Sequence, residues 1–175
     1  MSILFLVGAR ASGKTTVGKT LAKKLGLPFA DTDQLLLESA GRTVDQIVEA
    51  EGWPGFRQRE SAALREVTDA HKSGCVVSTG GGMVLAETNR TLMRQRGMVV
   101  FLDAPVEVLA ERLGRNPLSS QRPSLTGKGL MEEIGDVLKE RRPLYEAAAH
   151  HIVDATRPLP SICRHIADLW KTRAH

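Results

Sequence analysis

Gly8-Ala9-Arg10-Ala11-Ser12-Gly13-Lys14-Thr15 fits the pattern G-x-x-x-x-G-K-[ST]. It stands between a continuous apolar run, residues 3–7, and a stretch with helical spacing, residues 15–25. A strand that feeds a glycine-rich turn and then a helix is the context that gives this pattern its meaning. Gly8 and Gly13 let the backbone curl so that successive N–H groups face phosphate oxygens, and the helix N-terminus adds partial positive charge at the same point. Ala11, Ser12 and Gly13 supply main chain to that cradle. Lys14 can reach the β- and γ-phosphates of ATP, the Thr15 hydroxyl can ligate Mg²⁺, and Thr16 is placed to hold the α-phosphate. The chain must therefore open with a buried strand and bind nucleotide phosphate at its end. The motif leaves the phosphate acceptor open.

The rest of the chain alternates in the same way. Val17, Leu21, Ala22 and Leu25 recur at helical spacing and are stopped by Gly26 and Pro28. Phe29-Ala30 reads as a second short strand ending in Asp31-Thr32-Asp33. Two helices are predicted around 34–39 and 44–51, the first ended by Gly41 and the second capped by Thr43. Gly52-Trp53-Pro54-Gly55 punctuates the chain before an amphipathic segment, 56–71. A strand over 75–79 runs into Gly80-Gly81-Gly82, and a helix near 87–95 leads to a strand over 98–102. Pro105 suits the first turn of a helix over 106–113. From 114 to 129 apolar periodicity disappears, which suggests a mobile lid. Helical spacing returns over 130–150, followed by a strand, 151–153, and a last helix, about 161–170. This order implies an α/β, P-loop NTPase fold in one domain, 1–175, with a five-stranded parallel sheet flanked by helices.

Composition narrows the partners. A chain of 175 residues with 42% hydrophobic residues suits one folded domain and excludes disorder. The net charge of +4 comes without a run of like charges, and aromatics at 4% leave few platforms for stacking bases. Nucleic acid is not expected. No stretch approaches the length of a membrane span, and the apolar run at 3–7 is too short for a signal peptide. Cys75 and Cys163 lack metal-ligand spacing and read as reduced thiols, so a cytoplasmic location is expected. The adjacent His150-His151 diverge on one element and lack a third ligand, and Leu35-Leu36-Leu37 reads as core.

A P-loop usually works with an acidic residue at a strand end that organises the metal. Asp103 closes a hydrophobic run, Val99-Val100-Phe101-Leu102, in the usual way, but it also suits a turn before the next helix. Asp31, with Asp33 two residues on, is the rival, and spacing alone does not choose between them.

Taken together, the P-loop, Asp31-Thr32-Asp33, Gly55-Phe56-Arg57 with Glu60, Gly80-Gly81-Gly82, Arg122-Pro123, and Arg141 four residues before Tyr145 resemble the shikimate kinases. The matches keep their order over almost the whole chain, and Gln121 to Lys128 looks most like the type II enzymes. The resemblance implies ATP-dependent phosphorylation of the 3-hydroxyl of shikimate, in aromatic amino-acid synthesis, by a monomer. It assigns Asp31, with Thr15, to Mg²⁺, and Asp33 to the shikimate hydroxyls as the candidate proton acceptor. It gives Arg57 and Arg141 the substrate carboxylate, with Glu60 holding Arg57. It brings Phe56 and the turn Gly80, Gly81 and Gly82 to the substrate ring. The segment 114–129 becomes the lid, Arg122 its phosphate-reaching arginine and Arg115 an adenine-stacking one; residues near 32–60 form the acceptor region. The alternatives are a related kinase acting on gluconate or a nucleotide, a nucleotide-dependent switch, for which the guanine-specifying N-K-x-D is absent, and a nucleic-acid-stimulated ATPase.

Overall fold

In the computed structural model, which describes residues 3–115 and 129–173, the opening apolar run forms strand β1, Ile3–Val7, buried along its whole length. Both of its edges are taken. β3, Cys75–Ser78, pairs in parallel on one side and β4, Gly97–Asp103, on the other. β2, Phe29–Asp31, adds outside β3, and β5, His151–Asp154, outside β4, which gives the parallel order β2-β3-β1-β4-β5. Strands covered on both faces need no polar alternation, and this is why β1, β3 and β4 read as unbroken apolar runs. The expected five-stranded parallel sheet flanked by helices is the observed one.

The helices are α1 (Lys14–Leu25), α2 (Thr32–Ala40), α3 (Val44–Ala70), α4 (Glu87–Arg96), α5 (Val106–Arg115), α6 (Leu130–Ala148) and α7 (Leu159–Arg173). Gly26 and Gly41, both in the left-handed region, stop α1 and α2 as their positions predicted. Thr43 and Gln46 form a reciprocal capping box at the start of α3. The chain departs from expectation at Gly52-Trp53-Pro54-Gly55. These residues are not a loop between two helices. Gly52 alone breaks the helical path, with φ 70 and ψ 175, and Pro54 falls just beyond it, where its missing N–H costs little. The two helices therefore abut as one kinked α3, strapped by Arg59, which donates to both carboxylate oxygens of Glu51 at 2.9 and 2.7 Å. A short 3₁₀ turn, Met83–Leu85, also stands between the glycines and α4.

Two apolar cores result. The larger one sandwiches the sheet, and the smaller joins Leu36, Ile47, Phe56 and Ala63 between α2 and α3, with Leu35 and Leu37 packed on it. The leucine triplet is core, as its pattern implied.

His150 carries out a structural task between α6 and β5. Its backbone N–H donates to the Val99 carbonyl at 2.8 Å, and its Nδ1 accepts from the Val99 N–H at 3.0 Å. Only a neutral ring can accept there. Burial, with the charges of Arg94, Arg173 and His151, holds its pKa below the ordinary value of 6.5. A histidine depressed in this way stabilises the fold fully above the unfolded value and loses that contribution as pH falls below it. Melting temperature measured from pH 7.5 to 5 should fall more steeply for the native protein than for His150→Asn, whose amide oxygen can accept the same N–H without titrating. Parallel curves would refute this.

Candidate active site

The P-loop takes its shape from its own backbone and from β4 beside it. Gly8, at φ 150, runs so close to β4 that a Cβ there would lie 2.7 Å from the Leu102 carbonyl oxygen. Ala11 and Gly13 also take positive φ, 65 and 95, which turns the backbone into α1. Lys14 is 8% exposed and curls back into its own loop, donating to the carbonyls of Gly8 at 2.9 Å and Ala9 at 2.8 Å and lying 3.5 Å from Ser12 Oγ. Its charge is thus held inside the cradle. On the outer side, Arg112 of α5 donates to the Ala11 and Ser12 carbonyls, both at 3.3 Å, and to the Ala155 carbonyl at 2.7 Å. No motif announced this arginine, which ties the loop to the turn after β5.

Beside the cradle, Thr15 Oγ1 donates to Asp31 Oδ2 at 2.9 Å and lies 3.4 Å from Ser78 Oγ. The other carboxylate oxygen of Asp31 accepts from the N–H groups of Asp33 and Gln34 at 3.0 and 3.2 Å and so caps α2. Asp31 is therefore aimed by its own helix, with one oxygen left toward Thr15. Asp33, relieved of the cap, lines the cleft. Asp103 does not share this place: both its oxygens accept from Arg142, at 2.8 and 2.7 Å.

The opposite wall is a packed group of charges. Arg57 NH1 donates to Glu60 Oε2 at 2.5 Å, and Glu60 is 3% exposed. Burial pushes the Glu60 carboxyl above its usual range, against the opposing pull of Arg57. The guanidinium of Arg57 also lies 5.2 Å over the Trp53 ring and 5.4 Å over the Phe56 ring, which meet each other edge to face. Two aromatic faces and one carboxylate thus fix its orientation. Arg141 reaches the same cleft from α6, and its buried Nε has no hydrogen-bond partner among the described residues. Four residues on, one turn along α6, buried Tyr145 donates to the Gly81 carbonyl at 2.7 Å. Burial raises its phenol to about 12, so it stays a donor.

The three glycines are explained by what surrounds them. A Cβ at Gly80 would lie 2.6 Å from Asp33 Oδ1 and 2.7 Å from Glu60 Oε1; one at Gly82 would lie 2.0 Å from Arg57 NH1. These two positions are empty so that the protein's own charged side chains can cross the turn. Gly81 and Gly82 both line the cleft and Gly80 does not; a Cβ would find room only at Gly81, where the nearest atom would be 3.5 Å away.

One cleft of about 560 Å³ joins the two walls. Of the residues expected at the site, Ala11, Gly13, Lys14, Thr15, Thr16 and Asp31 line its phosphate side. Asp33, Phe56, Arg57, Glu60, Gly81, Gly82 and Arg141 line the other. Ser12 and Gly80 are buried behind the surface. Arg115 stands at the exposed end of α5, paired with Glu111 and outside the cleft lining, and Arg122 lies outside the described residues. Sequence reading missed Arg112, Ser78 and the cleft-facing roles of Trp53 and Tyr145.

A phosphate cradle facing an arginine-lined wall, across the ends of one parallel sheet, defines a small P-loop phosphotransferase. The family model for shikimate kinase matches residues 10–170. Shikimate kinase 2 of Syntrophotalea carbinolica is 52% identical over 98% of both chains, and shikimate kinase 2 of Yersinia enterocolitica is 54% identical over 93% of this chain and 92% of its own. The solved structure of Acinetobacter baumannii shikimate kinase in complex with shikimate superposes with a TM-score of 0.89 at 35% identity, covering 99% of this chain and 94% of that one. The chain belongs to the shikimate kinase family.

The glycine geometry sets a graded test. In Gly82→Ala the Arg57 guanidinium must move, which loosens its pair with buried Glu60 but leaves the backbone in place. Its melting temperature should fall but the protein stay folded, while the KM for the acid acceptor rises at least about tenfold, the scale of one charge-assisted hydrogen bond. Nucleotide binding should be unchanged. Acceptor kinetics equal to native would overturn the assignment of Gly82 as space for Arg57.

Proposed function

We propose that this cleft transfers the γ-phosphate of MgATP to the 3-hydroxyl of shikimate, giving shikimate 3-phosphate for aromatic amino-acid synthesis. The observation that carries the acceptor half is the convergence of Arg57 and Arg141, one oriented by a carboxylate and two rings, the other with a buried donor still unpartnered. Two guanidinium groups facing one apolar-walled cleft suit a compact carboxylic acid, because charge-assisted bonds from arginine select that group. Phe56 and Trp53 give the ring an apolar side, and the Gly81 main chain allows it to approach closely.

On the phosphate side, the P-loop N–H groups and Lys14 bind the nucleotide, so that Lys14 exchanges loop carbonyls for β- and γ-phosphate oxygens. Thr15 and Asp31 present adjacent hard oxygen donors that fit Mg²⁺, with Ser78 next to them. When bound there, the metal would neutralise charge that develops on the phosphates. An Mg²⁺ ion bound this way would keep most of its ligands as phosphate oxygens and water. Asp33 orients the attacking hydroxyl and accepts its proton; the phosphoryl group passes to the oxygen as the bond to ADP breaks. Because such transition states are loose, positioning outweighs basicity. The part given to segment 114–129 as a lid, with Arg122 on the phosphates and Arg115 near adenine, rests on family resemblance. A monomer as the working unit rests on family resemblance, and no helix among the described residues is long and apolar enough to cross a membrane. A cytoplasmic enzyme is proposed.

ADP release measured with shikimate, gluconate and nucleoside monophosphates offered separately should respond to shikimate alone; a response only to another acceptor would overturn the reading. Asp33→Asn should lower kcat about 10²- to 10³-fold with nucleotide affinity retained, on the scale of lost proton-acceptor catalysis. Native turnover in that variant would remove Asp33 from the mechanism.

A further inference from the structure

Arg141 is aimed by a helix that has a fault beside it. Pro143 lies inside α6, where it has no N–H to give the carbonyl of Lys139 and its ring crowds that carbonyl. Proline also disfavours helical geometry at the residue before it, which is Arg142. The helix ladder therefore does not by itself set the direction of the turn that carries Arg141. What holds that turn comes from the sheet. Arg142 forks onto Asp103, the last residue of β4, with NH1 to Oδ1 at 2.8 Å and NH2 to Oδ2 at 2.7 Å. Its Nε donates to Glu146 one turn on at 3.0 Å, across the proline. Its guanidinium lies 5.9 Å over the ring of Phe101, which itself stacks on Tyr145 at 5.0 Å and 25°. Arg142 is thus fastened to Glu146 beyond the proline and to the strand beneath it.

We propose that Asp103 and Arg142 are positioning residues for acceptor binding: their bidentate ion pair clamps the Pro143 fault of α6 to the end of β4 and so fixes the aim of Arg141. The position that resembles a metal-binding aspartate is spent on this clamp. Neither residue lines the cleft, so both act through Arg141. The inference rests on Arg141 binding the acceptor carboxylate. The planar fork matters: a lysine at 142 keeps the charge but cannot make two parallel bonds that resist rotation.

The test is steady-state kinetics on the full-length protein with shikimate and ATP varied separately. Asp103→Asn and Arg142→Lys should each raise the KM for shikimate about three- to fivefold, the scale of a partly exposed ion pair. The KM for ATP and kcat should stay within about twofold of native. Pro143→Ala restores the N–H at the fault, so in that background Asp103→Asn should have little effect on the KM for shikimate. A general structural role predicts the same loss in both backgrounds, and that result would overturn the clamp. An unchanged shikimate KM in Asp103→Asn, with Arg141→Ala strongly impaired, would also overturn the clamp while sparing the carboxylate reading. An unchanged shikimate KM in Arg141→Ala would bring down that reading and the clamp with it.

Discussion

The architecture of the acceptor wall depends on one constraint: Asp33, Arg57 and Glu60 are packed where the side chains of Gly80 and Gly82 would otherwise be. Charges taken from water are costly unless each is paired, and here an arginine and a carboxylate are within 2.5 Å, with aromatic faces above the guanidinium. The pairing works only if chain segments distant in sequence arrive together. α2 must be capped by Asp31 so that Asp33 lines the cleft, α3 must kink at Gly52 so that Trp53, Phe56 and Arg57 line it too, and the turn beyond β3 must be made of residues without Cβ atoms. Each requirement is local in the sequence, but its reason is not.

That asymmetry explains what could be read beforehand. β1, β3 and β4 are buried on both faces, so burial itself wrote their signal, and the glycine-lysine-threonine motif fixed the phosphate site because every position in it has a backbone or charge requirement. Asp31 was legible as a strand-end acid but not as the cap of α2, and spacing could not choose between it and Asp103. The two carboxylates differ in the partner each meets, Thr15 in one case and Arg142 in the other, 16 and 39 residues away. Gly52-Trp53-Pro54-Gly55 read as a loop because two glycines and a proline ordinarily make one. The tertiary contacts of Trp53 and Phe56 hold the helix together across that break.

The sequence has 16 arginines against 8 lysines, and the excess has two sources, only one of which concerns ligands. Arg57 and Arg141 serve the cleft. Arg90 donates to the carbonyls of Val84 and Leu85, Arg94 to those of Ala147, Ala148 and Ala149 at the end of α6, Arg112 to the P-loop, and Arg173 to Gly97. These carbonyls end helices and turns that have no further N–H to offer, and a guanidinium can reach two or three of them at once. In a fold with many short βα turns, arginine is a means of finishing helix ends as well as of binding anions, and composition alone cannot separate the two uses.

The two halves of the cleft are built to different mechanical standards. The phosphate half is backbone on the central strand, closed by bonds within the P-loop and by Arg112 behind it, so its donors are fixed by the sheet. The acceptor half is made of side chains carried on α2, α3 and α6: the Asp31 cap joins α2 to the end of β2, the Arg57–Glu60 pair lies within α3, and Tyr145 ties α6 to Gly81 beyond β3. A phosphate cradle of backbone N–H groups is common to any nucleotide triphosphate. Selection of one acid among many asks for guanidinium groups held at a set angle, and helices are the elements that can be re-aimed by single residues without disturbing the sheet. The glycines 80–82 are where the halves touch. A turn without side chains brings the acceptor wall against the P-loop: a Cβ on Gly81 would lie 3.5 Å from the Arg10 backbone nitrogen and 3.7 Å from a guanidinium nitrogen of Arg141.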